Sequence, residues 1–179
     1  MQFSLDNMIA LLERTPSALD ALLRGLPAAW TESNEGGESW NVCAVLAHLI
    51  HGEYEDWVPR TRHILQLGDT QPFTPFDPAG HVRYGAGKSL PQLLDEFAAA
   101  RTRSLQELRA LNLTAQDFAR RGLHPALGSV TLSELLSTWA AHDLNHLHQI
   151  CRIMAYQVRD AEGPWSQFLG IMQRKNHPQ

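Results

Sequence analysis

The chain has 179 residues, 44% hydrophobic and 19% charged, which is the size of one domain with one core. Fifteen Lys and Arg against nineteen Asp and Glu leave a formal charge of −4, so the basic footprint of a nucleic-acid-binding protein is missing. The longest nearly apolar run, 44–50, contains His48 and falls far short of the roughly 20 residues that span a bilayer, which excludes a membrane helix.

Two cysteines, Cys43 and Cys151, form no Cys-x-x-Cys pair. Asp6 and Glu13 stand where a secretory signal carries basic and then apolar residues. A soluble protein of the reducing cytoplasm is expected.

Apolar residues recur at three- and four-residue spacing along the chain, without sustained two-residue alternation, so an all-α fold is expected. The segment 5–26 is interrupted at Thr15-Pro16, where Thr can cap and Pro fits a first turn; two short helices or one broken helix follow. After Gly36-Gly37, Ser39 or Asn41 can cap a second helix that runs to about Leu67, kinked by Pro59. Residues 68–89 hold Pro72, Pro75 and Pro78 and four glycines without periodicity, a 22-residue loop. Ser89-Leu90-Pro91 opens a third helix that carries Leu93, Leu94, Phe97, Leu105 and Leu108 to about Leu111. A turn at 114–118 and an irregular link, 121–128, lead to the capping box Thr131-Leu-Ser-Glu134 and the longest helix, 132 to about 158. Gly163-Pro164 starts a short terminal helix that ends near Met172. Four main helices make a four-helix bundle. The 22-residue connection can reach roughly 70 Å when extended, so the second and third helices can run parallel, in an up-down-down-up topology.

The sequence contains nine histidines, and an i, i+4 pair among so many is weak evidence by spacing alone. Orientation adds to it. At about 100° per residue, His142 and His146 share a stripe with Leu135, Trp139, Ile150 and Ile153, while His148 points to the other side. Two core-facing imidazoles are either hydrogen-bonded core residues or ligands that share a divalent metal. A third donor from a facing helix is best supplied by His48, whose face carries Asn41, Ala44, Gly52 and Glu55, small or polar residues that leave room for a cavity. Leu46, Leu49, Ile50 and Trp57 lie toward its other sides. His51 is a surface residue, or else a fourth ligand or an outer partner of the same site; His63, His81, His124 and His177 read as loop or surface residues, with His81 and His124 on loops able to reach a site.

The stretch Trp40–Leu49 (WNVCAVLAHL), followed by His142–Gln149 (HDLNHLHQ), resembles the DinB-like superfamily, the damage-inducible and mycothiol- or bacillithiol-dependent four-helix proteins. Phe97–Arg101 (FAAAR) and His124–Leu132 (HPALGSVTL) extend the likeness over roughly Thr15 to Tyr156. Asn41 stands where the family more often has Ser or Thr, and Asn still caps. The resemblance implies an up-down-down-up bundle that often dimerises and a divalent metal, usually zinc or nickel, held by His48, His142 and His146.

Three neutral histidines leave an open coordination position, the arrangement of a catalytic site. Such a metal lowers the pKa of a bound low-molecular-weight thiol, for attack on an electrophile, or of water, for hydrolysis. The family's relatives imply thiol S-transfer in stress or detoxification chemistry first; a metal-dependent hydrolase and a non-catalytic metal-binding or interaction protein are the alternatives. Trp57, Leu144 and Cys151, off the core stripe, hint at a further buried face. Arg101 is a candidate for a cosubstrate carboxylate, and Glu55, about two turns from His48, for a general base or outer partner of the site. Cys43 and Cys151 read as small buried hydrophobes. Phe73, Phe76 and Tyr84, in the long loop, either cover a pocket or pack against the bundle.

Overall fold

A computed structural model describes residues 2–173. His177 lies outside the described residues. The first leg of the bundle is α1 (Leu5–Leu12) and α2 (Thr15–Leu23), two short helices parted before Pro16, and a single turn, α3 (Ala28–Thr31), follows it. Asn41 caps α4 (Val42–Glu55), its Oδ1 accepting from the Ala44 N–H at 2.9 Å. The second leg breaks at Asp56 before α5 (Trp57–Leu67). Pro59 is the reason: it has no N–H for the Glu55 carbonyl one turn earlier, and its ring crowds that carbonyl.

The connection 68–89 departs from a structureless loop. Phe73 is buried, its N–H donating to the Leu123 carbonyl at 2.9 Å, and a short helix, α6 (His81–Gly85), lies along α4. Gly80 lets α6 approach, because a Cβ there would stand 2.3 Å from His51 Cε1. Gly80→Ala is therefore expected to push α6 off His51 and to cost about 1–3 kcal/mol, as overpacking does; thermal unfolding followed by circular dichroism checks this.

The third leg is α7 (Leu90–Ala110), with the Ser89 N–H donating to Gln92 Oε1 at 2.8 Å. The link expected to be irregular is a β-hairpin, a small addition to an otherwise helical bundle: β1 (Arg121–His124) pairs antiparallel with β2 (Gly128–Thr131), Arg121 opposite Thr131. Gly122 lies against Phe73 and Ile64, where no larger residue fits, so the hairpin docks on the bundle through the position that weakens its strand signal. The fourth leg, α8 (Leu132–Tyr156), opens on the capping box, with Thr131 Oγ1 accepting from Glu134 N–H at 3.2 Å and the Thr131 N–H donating to Glu134 Oε2 at 2.6 Å. The turn after α7 and the segment at the chain's end form 3₁₀ turns, Asp117–Ala119, Gly163–Phe168 and Gly170–Met172.

Cross-leg contacts fix the directions. Glu13 meets Arg109 and Arg24 meets Asp95, so the first leg and α7 are antiparallel. Glu53 meets Arg101 and Arg62 meets Glu107, so the second leg and α7 are parallel. His48 meets His142 and Glu53 meets Trp139, so α8 runs against the second leg. The topology is up-down-down-up.

Two apolar clusters fill the bundle. One gathers Leu19, Leu23, Val45, Leu46, Phe97 and Ile153; the other gathers Leu12, Trp57, Ile64, Phe73, Leu108 and Trp139. Arg101 lies between them, 1% exposed. Its Nε and Nη2 donate to Glu53 Oε1 at 3.0 and 2.8 Å, Nη1 and Nη2 donate to Asp143 at 2.6 and 2.8 Å, and Nη1 also reaches the Leu12 carbonyl at 2.8 Å. All five guanidinium donors are used inside the protein, so Arg101 is structural and unavailable to a cosubstrate carboxylate.

Candidate metal centre

Helix α4 presents His48 and α8 presents His142 and His146, one turn apart on its inward stripe. The ring nitrogens converge: His142 Nε2 lies 3.0 Å from His48 Nε2 and 3.0 Å from His146 Nε2. The three ligand atoms lie within 4.8 Å of one another, and they are the group of described residues that can hold a metal ion. His146 is fixed from behind: its Nδ1 hydrogen-bonds with Gln149 Oε1 at 2.7 Å, which places the ring proton on Nδ1 and leaves Nε2 a bare lone pair.

All three rings are held neutral. Burial, aided by neighbouring imidazoles, lowers the pKa of His48 to about 3 and of His142 to about 2; burial lowers that of His146 as well. A single proton on His142 Nε2 can bridge to only one of its two neighbours, whereas one cation accepts all three lone pairs. This donor set fits a borderline-soft divalent ion such as zinc or nickel.

Two of the three histidines, His48 and His142, line a cleft of about 490 Å³. His48 and Gly52 come from α4 and His142 from α8; Asp56, Trp57 and Arg60 come from the break and α5; Pro75 and Phe76 come from the crossover; His124, Pro125 and Ala126 come from the hairpin tip. His146 sits deeper, 7% exposed. Phe76 stands edge-on to His48, centroids 5.8 Å apart, and Trp57 edge-on to His142 at 5.0 Å. A larger cleft of about 610 Å³ lies between the second leg and α7, lined by Tyr54, Arg62 and Arg103 among others, and contains none of the three histidines.

Other expected residues fall elsewhere. Glu55 does not line the cleft: it accepts from Tyr84 Oη at 2.7 Å, lies 3.1 Å from His51 Nε2 and pairs with Arg83, thereby clamping the crossover to α4. His51 is fully buried, stacked on Phe76 at 4.1 Å, and is neither a surface residue nor part of the triad. His81 packs at a tilt against Trp40, centroids 4.4 Å apart, and Trp40 at a tilt against His48 at 5.1 Å. His148 is exposed and Leu144 is 50% exposed; Cys43 and Cys151 are free thiols outside the cleft. Trp57 is buried within the chain, stacked on Trp139 at 5.8 Å.

The sequence reading missed Asp56. It is 9% exposed, with Oδ1 at 2.7 Å from Arg60 Nε, and burial, partly offset by Arg60, raises its pKa to about 6. The available signal was Pro59, whose break one turn upstream turns Asp56 into the cleft.

The family model of the DinB superfamily matches residues 11–150. No curated protein matches the chain significantly. Among solved structures, YfiT from Bacillus subtilis superposes with a TM-score of 0.71 at 21% identity, over 88% of this chain and 87% of that one; it is described as "a probable metal-dependent hydrolase with an unusual four-helix bundle topology". No helix of the described residues is long and apolar enough to cross a membrane.

Proposed function

The chain belongs to the DinB superfamily, and on that premise we propose that it is a divalent-metal-dependent enzyme that adds a small nucleophile to an electrophilic small molecule, with His48, His142 and His146 as metal ligands. The convergence of three neutral Nε2 atoms beside an open cleft that two of the rings, His48 and His142, line carries this reading. When bound, the ion supplies a Lewis acid that makes a nucleophile acidic near neutral pH.

The protein's own groups do the rest. Gln149 keeps His146 in the ligating tautomer, Trp57 and Phe76 wall the substrate in beside the triad, and Pro75, Pro125 and Ala126 keep that wall apolar. Water is the nucleophile of the first reading: a cleft of about 490 Å³ takes one small organic molecule, and the Bacillus subtilis relative is described as a probable metal-dependent hydrolase. A low-molecular-weight thiol is the nucleophile of the second, favoured by the apolar walls, since a thiolate attacks best where water is excluded.

The test uses untagged protein loaded with zinc or nickel and a panel of activated esters, amides and alkyl halides, each with and without a small thiol. Turnover of an ester or amide without thiol, abolished by chelation and restored by the ion, is the expected result. Turnover only with thiol assigns the second reading, and a loaded protein that turns over nothing reduces the chain to a metal-binding protein.

A further inference from the structure

We propose that Asp56 is the proton acceptor of this cleft, the catalytic base that takes the proton of the nucleophile beside His48 and His142; this rests on the metal-enzyme reading above. The ionisable residues lining the cleft are His48, Asp56, Arg60, His124 and His142. Two of the three outside the triad are disqualified by geometry. Arg60 has no lone pair to offer. His124 Nδ1 accepts the N–H groups of Ala126 and Leu127, both at 3.1 Å, so the ring proton sits on Nε2 and the ring can only donate to the cleft. Asp56 alone brings a free basic oxygen.

The surroundings of Asp56 are unlike those of the chain's other buried acids. Asp143 takes two hydrogen bonds from Arg101, Glu53 takes bonds from Arg101 and Trp139 on Oε1 while its Oε2 has none, and Glu35 takes two from Arg152. Among the described residues no hydrogen bond reaches either carboxylate oxygen of Asp56; Arg60 Nε is in ionic contact with the buried Oδ1. A structural carboxylate this deep is ordinarily saturated with donors. An acid–base catalyst needs its lone pairs free and an affinity for protons near that of the medium, which burial beside a single Arg provides.

The step balances without an external agent. The water O–H bond breaks and its proton passes to an Asp56 carboxylate oxygen, while the water oxygen bonds to the electrophilic carbon. The bond from that carbon to the leaving group then breaks, and the proton held on Asp56 moves to the leaving group, restoring the carboxylate. Arg60 is the positioning residue that keeps Asp56 turned toward the cleft.

Asp56→Asn tests this against a merely structural ion pair through four readings. Zinc per chain, by plasma mass spectrometry, is expected to equal that of the wild type. In protein labelled with 13C at aspartate side-chain carboxyls, the Asp56 signal is the one missing from the variant, and its titration midpoint is expected to fall by about one pH unit or more when zinc is loaded. For the ester of the panel that the wild type hydrolyses, kcat at pH 7 is expected to fall about 100-fold with KM little changed. The variant is also expected to melt at or above the wild type at pH 8: an acid whose pKa is raised in the folded state loses stability as pH rises through the interval from about 4 to about 6 and stays penalised above it, and Asn removes that penalty. A zinc-loaded wild type whose Asp56 midpoint does not move, an unchanged kcat, or a variant that melts well below the wild type overturns the assignment of Asp56 alone. A wild type that takes up no zinc overturns the metal reading instead, and the assignment with it.

Discussion

Replacing Arg101 with methionine is expected to lower the melting temperature by on the order of 10 °C, since removing one partner from a buried ion network costs about 3–5 kcal/mol and each kcal/mol is worth about 2–4 °C in a domain this size. The cost comes from what remains. Glu53 and Asp143 are 4% and 0% exposed, and without the guanidinium both keep their place in the core with no counter-charge. Burial already pushes the Glu53 carboxyl above the usual carboxylate range against the pull of Arg101, so Glu53 is expected to take up a proton more readily in the variant than in the wild type. Replacing all three residues with apolar ones of similar volume is expected to recover most of the loss. The network also sets α8's rotation: Asp143, gripped through both oxygens, is adjacent to His142, so the methionine variant is expected to bind metal more weakly although no ligand is touched. Differential scanning calorimetry with parallel metal analysis checks both effects.

His142→Ala is expected to abolish metal binding, taking the content from about one ion per chain to near zero, and to remove turnover with it. His142 is the shared member of the triad, 3.0 Å from each of the other two Nε2 atoms; its loss leaves only two ligands, His48 and His146, on different legs. His148→Ala, on the exposed side of the same helix, is expected to retain the ion and serves as the control. In the wild type a chelator is expected to lower the melting temperature, because an ion bound only by the folded state stabilises it in proportion to the logarithm of its concentration; in His142→Ala the chelator is expected to change nothing. Plasma mass spectrometry and thermal melts on the same samples distinguish a metal site from a cluster of buried imidazoles, which would melt alike with and without chelator.

Features with a period or a cap could be read from the chain itself: the four legs, the break before Pro16, the Asn41 and Thr131 caps, and the common face of His142 and His146. What could not be read depends on partners far away in sequence. Arg101 looks like any exposed arginine on a helix until Glu53 and Asp143 are placed around it. The hairpin at 121–131 carries Gly122, Pro125 and Gly128, which dilute a strand signal, and its pairing is held by Phe73, some fifty residues earlier. Glu55 and Asp56 are adjacent acids; a helix continued unbroken from His48 brings Glu55 under the site, whereas the break that Pro59 imposes delivers Asp56 there instead. The crossover hid a helix because α6 is one turn long and is held by stacking on His51 rather than by its own sequence.

The parallel pairing of the second leg with α7 obliges the chain to travel back along the bundle between them, and Pro75 and Phe76 of that return path form part of the cleft wall. Anchored at one end by buried Phe73 and at the other by Gly80 against His51 and by the Glu55 clamp, the path exposes residues 74, 75 and 77–79, positions that can vary without disturbing the packed legs. Substrate choice can therefore drift by mutation while the ligand set and the core stay constant, which gives a lineage built on this bundle an inexpensive route to new chemistry.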